Sequence, residues 1–306
     1  MISPLANCVS TKSTRARPDD GFVVVAVLWI LGALAALASI YAIYVTNTVV
    51  SLSVNDDRLQ AEALVRAGLE LTAYQLSTQD AEARATKGAF RFRMGRADVA
   101  VDFRTEAARI DLNMAPKELL AGLFAGLGAP YGAADSYAER IIGWRQKGDV
   151  EGQNNEAAAY RTAGLSYGPR QGSFSDVGEL WLVLGLPPAL VERALPFVTV
   201  YSGRPDVDVL DAAPEVVAAL PGMTPDRLYG VLGQRGPGAA NAQIVQSLLG
   251  PAQGASIEGG KAMRVTVRIA FDNGRRVGAE AVILPLDDAD EPFRVLSWHD
   301  DFDGPA

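Results

Sequence analysis

The sequence predicts an α+β protein with a long N-terminal transmembrane helix, a small antiparallel sheet and a large inserted helical domain. Three observations predict this class: an uninterrupted apolar run near the N-terminus, strand-like alternation at both ends of the remaining chain, and helix-start patterns between them. The chain has 306 residues, of which 49% are hydrophobic, so it is long and apolar enough to bury a substantial core.

The apolar run is long enough to cross a membrane. No residue from Gly21 to Val54 is charged, and a helix needs about 20 apolar residues to span the hydrocarbon core. A secretory signal peptide has only about 7 to 15 apolar residues before its cleavage site, so it fits less well. Three basic residues precede the run, whereas Asp56 and Asp57 follow it. This bias predicts a cytoplasmic N-terminus, with the chain after about residue 47 outside the cytoplasm.

The polar edge of this run is a candidate processing site. Gly21 and Phe22 follow a polar leader and head the apolar helix, which resembles a type IV prepilin-like signal cut by prepilin peptidase. A plain, uncleaved signal anchor fits the same residues. Cleavage would remove Cys8, the only cysteine, so the mature protein would fold without a disulfide.

The fifth position counted from Phe22 is occupied by Ala26. Proteins with this signal usually carry Glu there, and its carboxylate pairs with the N-terminal amine of a neighbouring subunit. An unpaired carboxylate in the membrane costs about 2.5 to 3.5 kcal/mol. The first, topmost subunit of a filament has no neighbour to pair with this glutamate, so the glutamate is expected to be absent there.

The helix is expected to continue beyond the membrane run. Leu64, Ala67, Leu71 and Tyr74 repeat at steps of three and four and predict one apolar face. We expect Lys87 and Gly88 to end this helix.

Strand patterns occur on both sides of the middle of the chain. Residues 90–104 alternate between apolar and polar like two short strands around Gly95. Residues 263–271 alternate in the same way, Asp272-Asn273-Gly274 predicts a tight turn, and residues 275–286 return. Phe293–Trp298 is a further candidate strand. These segments predict one sheet, closed by pairing across an inserted helical middle.

Three related helix starts lie in that middle. Residues 111–123 and 208–223 each offer an Asn or Asp cap and an Ala-Pro pair in the first turn, and residues 175–186 offer Asp176 with Glu179 three positions later. These patterns look like helix-hairpin-helix or SAM-like units. Such units often bind nucleic acid, but the net charge of -8 favours a packing role and no nucleic-acid partner.

Taken together, these features resemble the general secretion pathway protein K family, the K-type minor pseudopilins of type II secretion systems. The resemblance runs from Gly21 to Trp298 and rests on Gly21-Phe22 with Ala26, DLNMAPKELL, GSFSDVGELWLVLGLP followed by PFVTVYSG, DAAPEVVAALPGM and VLSWHD. The leader departs from the family pattern because it is long and places Asp19 and Asp20 beside the cut.

The resemblance implies a role in assembly. Prepilin peptidase would process an inner-membrane, single-pass subunit whose main domain is periplasmic. This subunit would join the I-type and J-type minor pseudopilins at the tip of the periplasmic pseudopilus, where it initiates or caps assembly for protein export. A minor pilin of a type IV pilus and a signal-anchored periplasmic hydrolase are the alternatives.

The same resemblance divides the chain into segments. They are a prepilin leader (1–21), a transmembrane helix (22–45), its periplasmic continuation (46–88), the first strands (89–110), the inserted helical domain (111–258), the C-terminal strands (259–299) and a flexible tail (300–306).

The sequence predicts no catalytic site. The only histidine, His299, lies near the acidic C-terminal end and is expected to be solvated, and no nucleophile-elbow or phosphate-cradle pattern occurs. We therefore expect a protein that is not an enzyme.

One acidic loop is a candidate calcium site. Residues 148–160 include Asp149, Glu151 and Glu156, whose carboxylate oxygens are ligands that calcium prefers. Members of the similar family often have an acidic loop in this place, and some bind calcium there. The spacing fits no EF-hand, so a solvated polar loop is the alternative.

Overall fold

The computed structural model of the chain describes residues 19–78, 84–147, 156–236, 239–250, 253–286 and 291–302, with the backbone alone for 19–22, 45–57 and 239–240. The chain divides into two compact units, one up to Gln60 and the other from Ala61 onward. The long N-terminal helix has residues in both units.

The secondary structure is mixed. The α-helices are α1 (Asp19–Ser77), α2 (Lys117–Gly126), α3 (Ala133–Arg145), α4 (Glu156–Thr162), α5 (Pro188–Ala194), α6 (Pro214–Ala218), α7 (Pro225–Gly233) and α8 (Ala239–Leu249). The strands are β1 (Lys87–Met94), β2 (Ala97–Thr105), β3 (Ile110–Asp111), β4 (Val198–Thr199), β5 (Val207–Asp208), β6 (Ala255–Ser256), β7 (Met263–Phe271), β8 (Arg276–Pro285) and β9 (Phe293–Asp300). Three short 3₁₀ helices complete it, at Glu106–Ala108, Val177–Leu182 and Leu195–Phe197.

The first unit contains the predicted apolar helix. Among the described residues, Val23–Tyr44 is the one stretch of helix that is long and apolar enough to cross a membrane. Its 22 residues are exposed within the protein itself, as expected for a helix whose side chains face lipid. By its length and composition this helix suggests a single-pass membrane anchor. The helix begins at Asp19, before the predicted cleavage position.

The second unit is organised by a five-stranded antiparallel sheet in the order β1-β2-β7-β8-β9. The central pairing joins β2 to β7, with Ala97 opposite Phe271 and Thr105 opposite Met263. Since residues 106–262 lie between these two strands, the predicted closure of the sheet across a helical insertion is confirmed. The predicted hairpin is also confirmed as β7 and β8, and Phe293–Asp300 adds the edge strand β9.

One face of the sheet is covered by the last turns of α1. Leu64 of the predicted apolar face is buried there, but the rest of the buried face differs from the prediction. Leu71 and Tyr74 are exposed, at 40% and 66%, and the buried face consists of Ala61, Leu64, Val65, Leu69, Thr72, Ala73 and Leu76. The reason is Gly68: a Cβ there would lie 3.2 Å from Val101 and 3.3 Å from Val267, so the helix approaches the sheet through its smallest residue.

The predicted end of this helix was also wrong. The helix ends at Ser77, whereas Lys87 and Gly88 begin strand β1. A Cβ at Gly88 would lie 2.3 Å from the ring of Phe103, so the glycine lets this ring pack closely over strand β1. The pair marks a close contact between strands and not a helix terminus.

The insertion contains a structural repeat. Strands β3 and β5 each end in an aspartate and each pair in parallel with a later short strand, β4 and β6 respectively. Asp111 accepts a hydrogen bond from the backbone N–H of Asn113, and Asp208 accepts one from that of Leu210. The sequence predicted an Asn or Asp helix cap in each of these two segments. The two aspartates cap the turns that precede α2 and α6, whose own N-caps are Pro116 and Ala213.

The third helix start, at Asp176, is a 3₁₀ helix and not an α-helix. Asp176 caps it as predicted, by accepting a hydrogen bond from the N–H of Gly178. Glu179, three positions later, accepts a hydrogen bond from the backbone N–H of Ser175 and not from that of the cap residue. The hydrophobic core of the insertion lies between these units and the helices that follow them.

The C-terminal end is more ordered than predicted. Residues 300–306 were expected to form a flexible tail, but Asp300 ends strand β9 and Phe302 is buried against the sheet core. The N–H of Asp301 donates to the carbonyl of Gly278, so the chain stays on the sheet up to Phe302. Residues 303–306 lie outside the described residues. His299 is exposed on β9, as predicted.

Candidate assembly elements

The membrane segment carries the predicted processing and assembly residues. Gly21 and Phe22 lie within α1, and of these two residues the backbone alone is described. Ala26 is on the same helix and is partly exposed within the protein. A shallow concave surface near it is lined by Val25, Leu28, Trp29, Gly32, Ala33 and Ala36. Small residues at such a surface let the backbone of a second membrane helix come close.

A buried ion pair attaches the insertion to the sheet. Glu106 directly follows β2 and is fully buried, and its Oε1 lies 2.6 Å from Nε of Arg264 on β7. Arg264 also contacts Glu280 on β8, and Glu106 accepts a hydrogen bond from the hydroxyl of Thr199 on β4. One carboxylate therefore holds two strands of different sheets, and this fixes where the insertion leaves the sheet.

A second attachment joins the insertion to the first strand. The carboxylate of Asp211 accepts hydrogen bonds from the hydroxyl of Thr86 and from Nζ of Lys87, the latter at 2.6 Å. Asp208 lies nearby and is almost completely buried, and its Oδ2 has no hydrogen-bond partner among the described residues. Burial, together with the charge of Asp211, raises the pKa of Asp208 to about 6.

Aromatic side chains fill the insertion core. The ring of Trp144 lies 5.9 Å from that of Tyr160 and 6.1 Å from that of Phe174, measured between ring centroids. Their polar atoms are satisfied, since Trp144 Nε1 donates to Glu179 and the hydroxyl of Tyr160 accepts from the N–H of Leu184. Burial raises the pKa of Tyr160 to about 12, so the hydroxyl stays protonated. A core satisfied in this way favours one fixed arrangement of the helices.

The predicted calcium residues are only partly described. Asp149 and Glu151 lie outside the described residues, whereas Glu156 begins α4. Both carboxylate oxygens of Glu156 accept hydrogen bonds from Nη1 of Arg140, at 2.9 and 3.0 Å. Arg140 therefore occupies the oxygens that a cation would need. Within the described ranges, no three His, Cys, Asp or Glu residues are placed to hold a metal ion. Calcium binding stays a prediction.

The residues that join sheet and insertion were missed at the sequence level. Glu106 lies 158 positions from Arg264, and no local pattern relates them. A weak signal exists in the sequence. Glu106 stands directly after a strand pattern and before two alanines, so a charged residue lies in an otherwise apolar stretch. Asp211 was noticed only as part of a cap motif.

Comparison with known proteins agrees with this architecture. Residues 104–203 match the family model described as type II secretion system (T2SS), protein K. A search of curated proteins found no match. Among solved structures, a chain of the GspK-GspI-GspJ complex from the type 2 secretion system of enterotoxigenic Escherichia coli has a similar fold. The TM-score is 0.61, with 15% identity over 83% of this chain and 99% of that chain.

The family match and the structural match differ in extent. The family model covers β3, the first helical units and β4, which belong to the first part of the insertion, and the solved structure covers 83% of the chain. The family match over residues 104–203 and the shared fold together support a pseudopilin of the type II secretion system protein K family.

Proposed function

We propose that this pseudopilin is processed by prepilin peptidase between Gly21 and Phe22 and then joins the I-type and J-type minor pseudopilins at the tip of the periplasmic pseudopilus. There it initiates or caps assembly of the filament. In this arrangement the N-terminus begins in the cytoplasm, the anchor lies in the inner membrane, and residues after the anchor lie in the periplasm.

One observation carries this proposal: the sheet is interrupted between β2 and β7 by a folded insertion that is larger than the sheet. A subunit inside a thin helical filament has neighbours above and below, and such an insertion would collide with the subunit above it. The end of the filament has no subunit above. The similar solved structure is a complex of GspK, GspI and GspJ, which supports the choice of partners.

The membrane segment supports the same position. The anchor carries Ala26 where a filament subunit with a neighbour above it would use a carboxylate. Without such a neighbour a carboxylate would remain unpaired in lipid, at a cost of about 2.5 to 3.5 kcal/mol. The alanine removes this cost. The basic residues that precede the anchor support the cytoplasmic start.

Two measurements test the proposal. Mass spectrometry of the N-terminus of protein extracted from membranes is expected to find Phe22 first, and intact material beginning at Met1 in cells with active peptidase would contradict processing. Copurification from the same membranes is expected to recover the I-type and J-type minor pseudopilins. Their absence would contradict the placement at the tip, even if the leader is removed.

Calcium is a separate proposal for the loop at 148–160. Asp149 and Glu151 would supply ligand oxygens, with Glu156 available only if it leaves Arg140. Calorimetric titration of the full chain with Ca²⁺ tests this, with Asp149→Asn combined with Glu151→Gln as the variant expected to lose binding. Equal binding by this variant would place any calcium elsewhere.

A further inference from the structure

A charged pocket opens where β1, β2 and β7 meet the start of the insertion. Its volume is about 380 Å³, and it lies on the sheet face opposite α1. The cations in its wall are Lys87, Arg104, Arg109 and Arg264. Nothing in the proposed assembly mechanism uses this pocket.

Three of these cations stand side by side across the sheet. Lys87 on β1 is directly opposite Arg104 on β2, and Arg104 is directly opposite Arg264 on β7. Like charges in directly opposed positions destabilise a sheet unless they are neutralised. Lys87 is neutralised by Asp211, and Arg264 by Glu106. Arg104, between them, forms no hydrogen bond or ion pair with its side chain in the part of the chain that the structure describes.

The acids in the wall are already occupied. They are Asp102, Glu106 and Glu280. Asp102 lies 2.6 Å from Arg268, and both glutamates bind Arg264. Each of these acids already has a cationic partner within 4 Å.

Arg104 is exposed, whereas Arg109 is the more buried of these two arginines. The side chain of Arg109 is half-buried, and among the described residues it has neither a hydrogen-bond acceptor nor an ion-pair partner. Burial, followed by the charge of Arg264, lowers the pKa of Arg109, whereas Glu106 and Glu280 act in the opposite direction. A guanidinium held in this way is costly unless a further anion approaches it.

We infer that this pocket binds an oxyanion, a carboxylate or a phosphate, between Arg104 and Arg109. The planar guanidinium presents paired N–H donors that match the oxygens of such a group. The pocket is lined by four cationic and three acidic residues, although the chain as a whole has a net charge of -8. An anion would therefore be attracted to this site and not to the protein surface in general. A free oxyanion and an acidic side chain of another protein share this chemistry. The inference goes beyond the proposed function and does not depend on it.

The test is a calorimetric titration of the full chain in detergent at constant ionic strength. Inorganic phosphate is one probe. The peptide Ac-Asp-Glu-Asp-NH₂ is the other, with Ac-Asn-Gln-Asn-NH₂ as its uncharged match. We expect saturable binding at one site, weakened at least tenfold by Arg104→Gln combined with Arg109→Gln. The control is Arg276→Gln, an exposed arginine on β8 outside this pocket, which is expected to bind as the parent does.

Each outcome decides the inference. If phosphate alone binds, the ligand of the pocket is a free oxyanion. If the acidic peptide binds more tightly, the ligand is a carboxylate of another protein. Absence of saturable binding to either probe, or equal affinity in the double variant, overturns the site. If thermal unfolding shows that the glutamine variant does not fold, the variant with Arg104→Lys and Arg109→Lys replaces it. That variant keeps the charge but loses the paired donors, and undiminished affinity for both probes would then overturn the inference.

Discussion

Glu106 and Arg264 form a two-point contact in the interior of the protein: Nε of Arg264 lies 2.6 Å from Oε1 of Glu106, and Nη2 lies 3.2 Å from Oε2. Glu106 is 0% exposed. The contact joins the point where the chain leaves the sheet to the strand through which it returns. The insertion is therefore closed at its base by a charge pair as well as by the pairing of β2 with β7.

Breaking this pair is expected to destabilise the protein strongly. Glu106→Gln leaves Arg264 less neutralised in a buried place, and removing one partner of a buried pair costs about 3 to 5 kcal/mol. The free energy of unfolding of the full chain in detergent, from denaturant titration, measures this. Asp102→Asn is the control, because Asp102 pairs with Arg268 on the exposed face, where such pairs contribute about 0.2 to 1 kcal/mol. Similar losses in both variants would contradict the role of Glu106.

The glycines of α2 allow a test of how closely the helices of the insertion approach. A Cβ at Gly122 would lie 2.1 Å from the carbonyl oxygen of Ala219, so Gly122→Ala forces α2 and the end of α6 apart. We expect a loss of about 1 to 3 kcal/mol in the free energy of unfolding.

Gly126 is the matched control because it lies in the same helix, and a methyl group added there would meet nothing within 4 Å. Gly126→Ala is expected to be neutral or to stabilise by up to about 1 kcal/mol, since alanine favours helix. Equal changes in the free energy of unfolding for both substitutions would contradict a close approach of α2 to Ala219.

The secondary-structure elements could be predicted from the sequence more readily than the side-chain contacts between them. Alternation and a tight turn predicted β7 and β8 because both are local signals. Closure of the sheet across the insertion followed from the strand patterns on both sides of the helical middle, although the partners β2 and β7 were not specified. The buried face of α1 was misjudged because large apolar residues were taken as the core, whereas the small Gly68 makes the closest contact with the sheet. Glu106 and Arg264 were missed since only the folded chain brings them together.

Asp208 is expected to make stability depend on pH. Its pKa is raised from 3.8 to about 6 by burial and by Asp211. The folded protein therefore holds this proton more tightly than the unfolded chain does. The resulting stabilisation is full below about pH 4, is lost as the pH rises to about 6, and amounts to about 3 kcal/mol.

Asp208→Asn tests this dependence. The side-chain oxygen that accepts from the N–H of Leu210 is kept, and the charge that forms at neutral pH is removed. Relative to the parent, the variant is expected to gain stability between pH 4 and pH 7, measured by denaturant unfolding at both values. Asp98→Asn, at an exposed position of β2, controls for the loss of one negative charge. A constant difference between Asp208→Asn and the parent at both pH values would contradict this pKa.

The exposed side of α1 is expected to contact the partner pseudopilins. Leu71 and Tyr74 are apolar, exposed and on the side away from the sheet core. Leu71→Asp and Tyr74→Asp would each place an unpaired carboxylate in a helix contact, and we expect at least a tenfold loss in affinity for the I-type and J-type minor pseudopilins. Thermal unfolding should change little, because both positions are exposed. Tyr131→Asp, at a fully exposed tyrosine of the insertion, is the matched control. Equal binding by Tyr131→Asp and Tyr74→Asp variants would exclude this face.

Ala26→Glu tests whether the missing carboxylate reflects a position at the tip. At the tip no subunit above supplies an amine, so the new carboxylate remains in lipid and costs about 2.5 to 3.5 kcal/mol. We expect less of the variant to copurify with its partners from membranes, with the amount of membrane-inserted protein measured in parallel. Ala26→Gln has a similar size without the charge and should retain more of the complex. A subunit with a neighbour above it would instead gain a pairing partner for the glutamate, so unchanged or increased recovery of the Ala26→Glu complex would argue for a place within the filament.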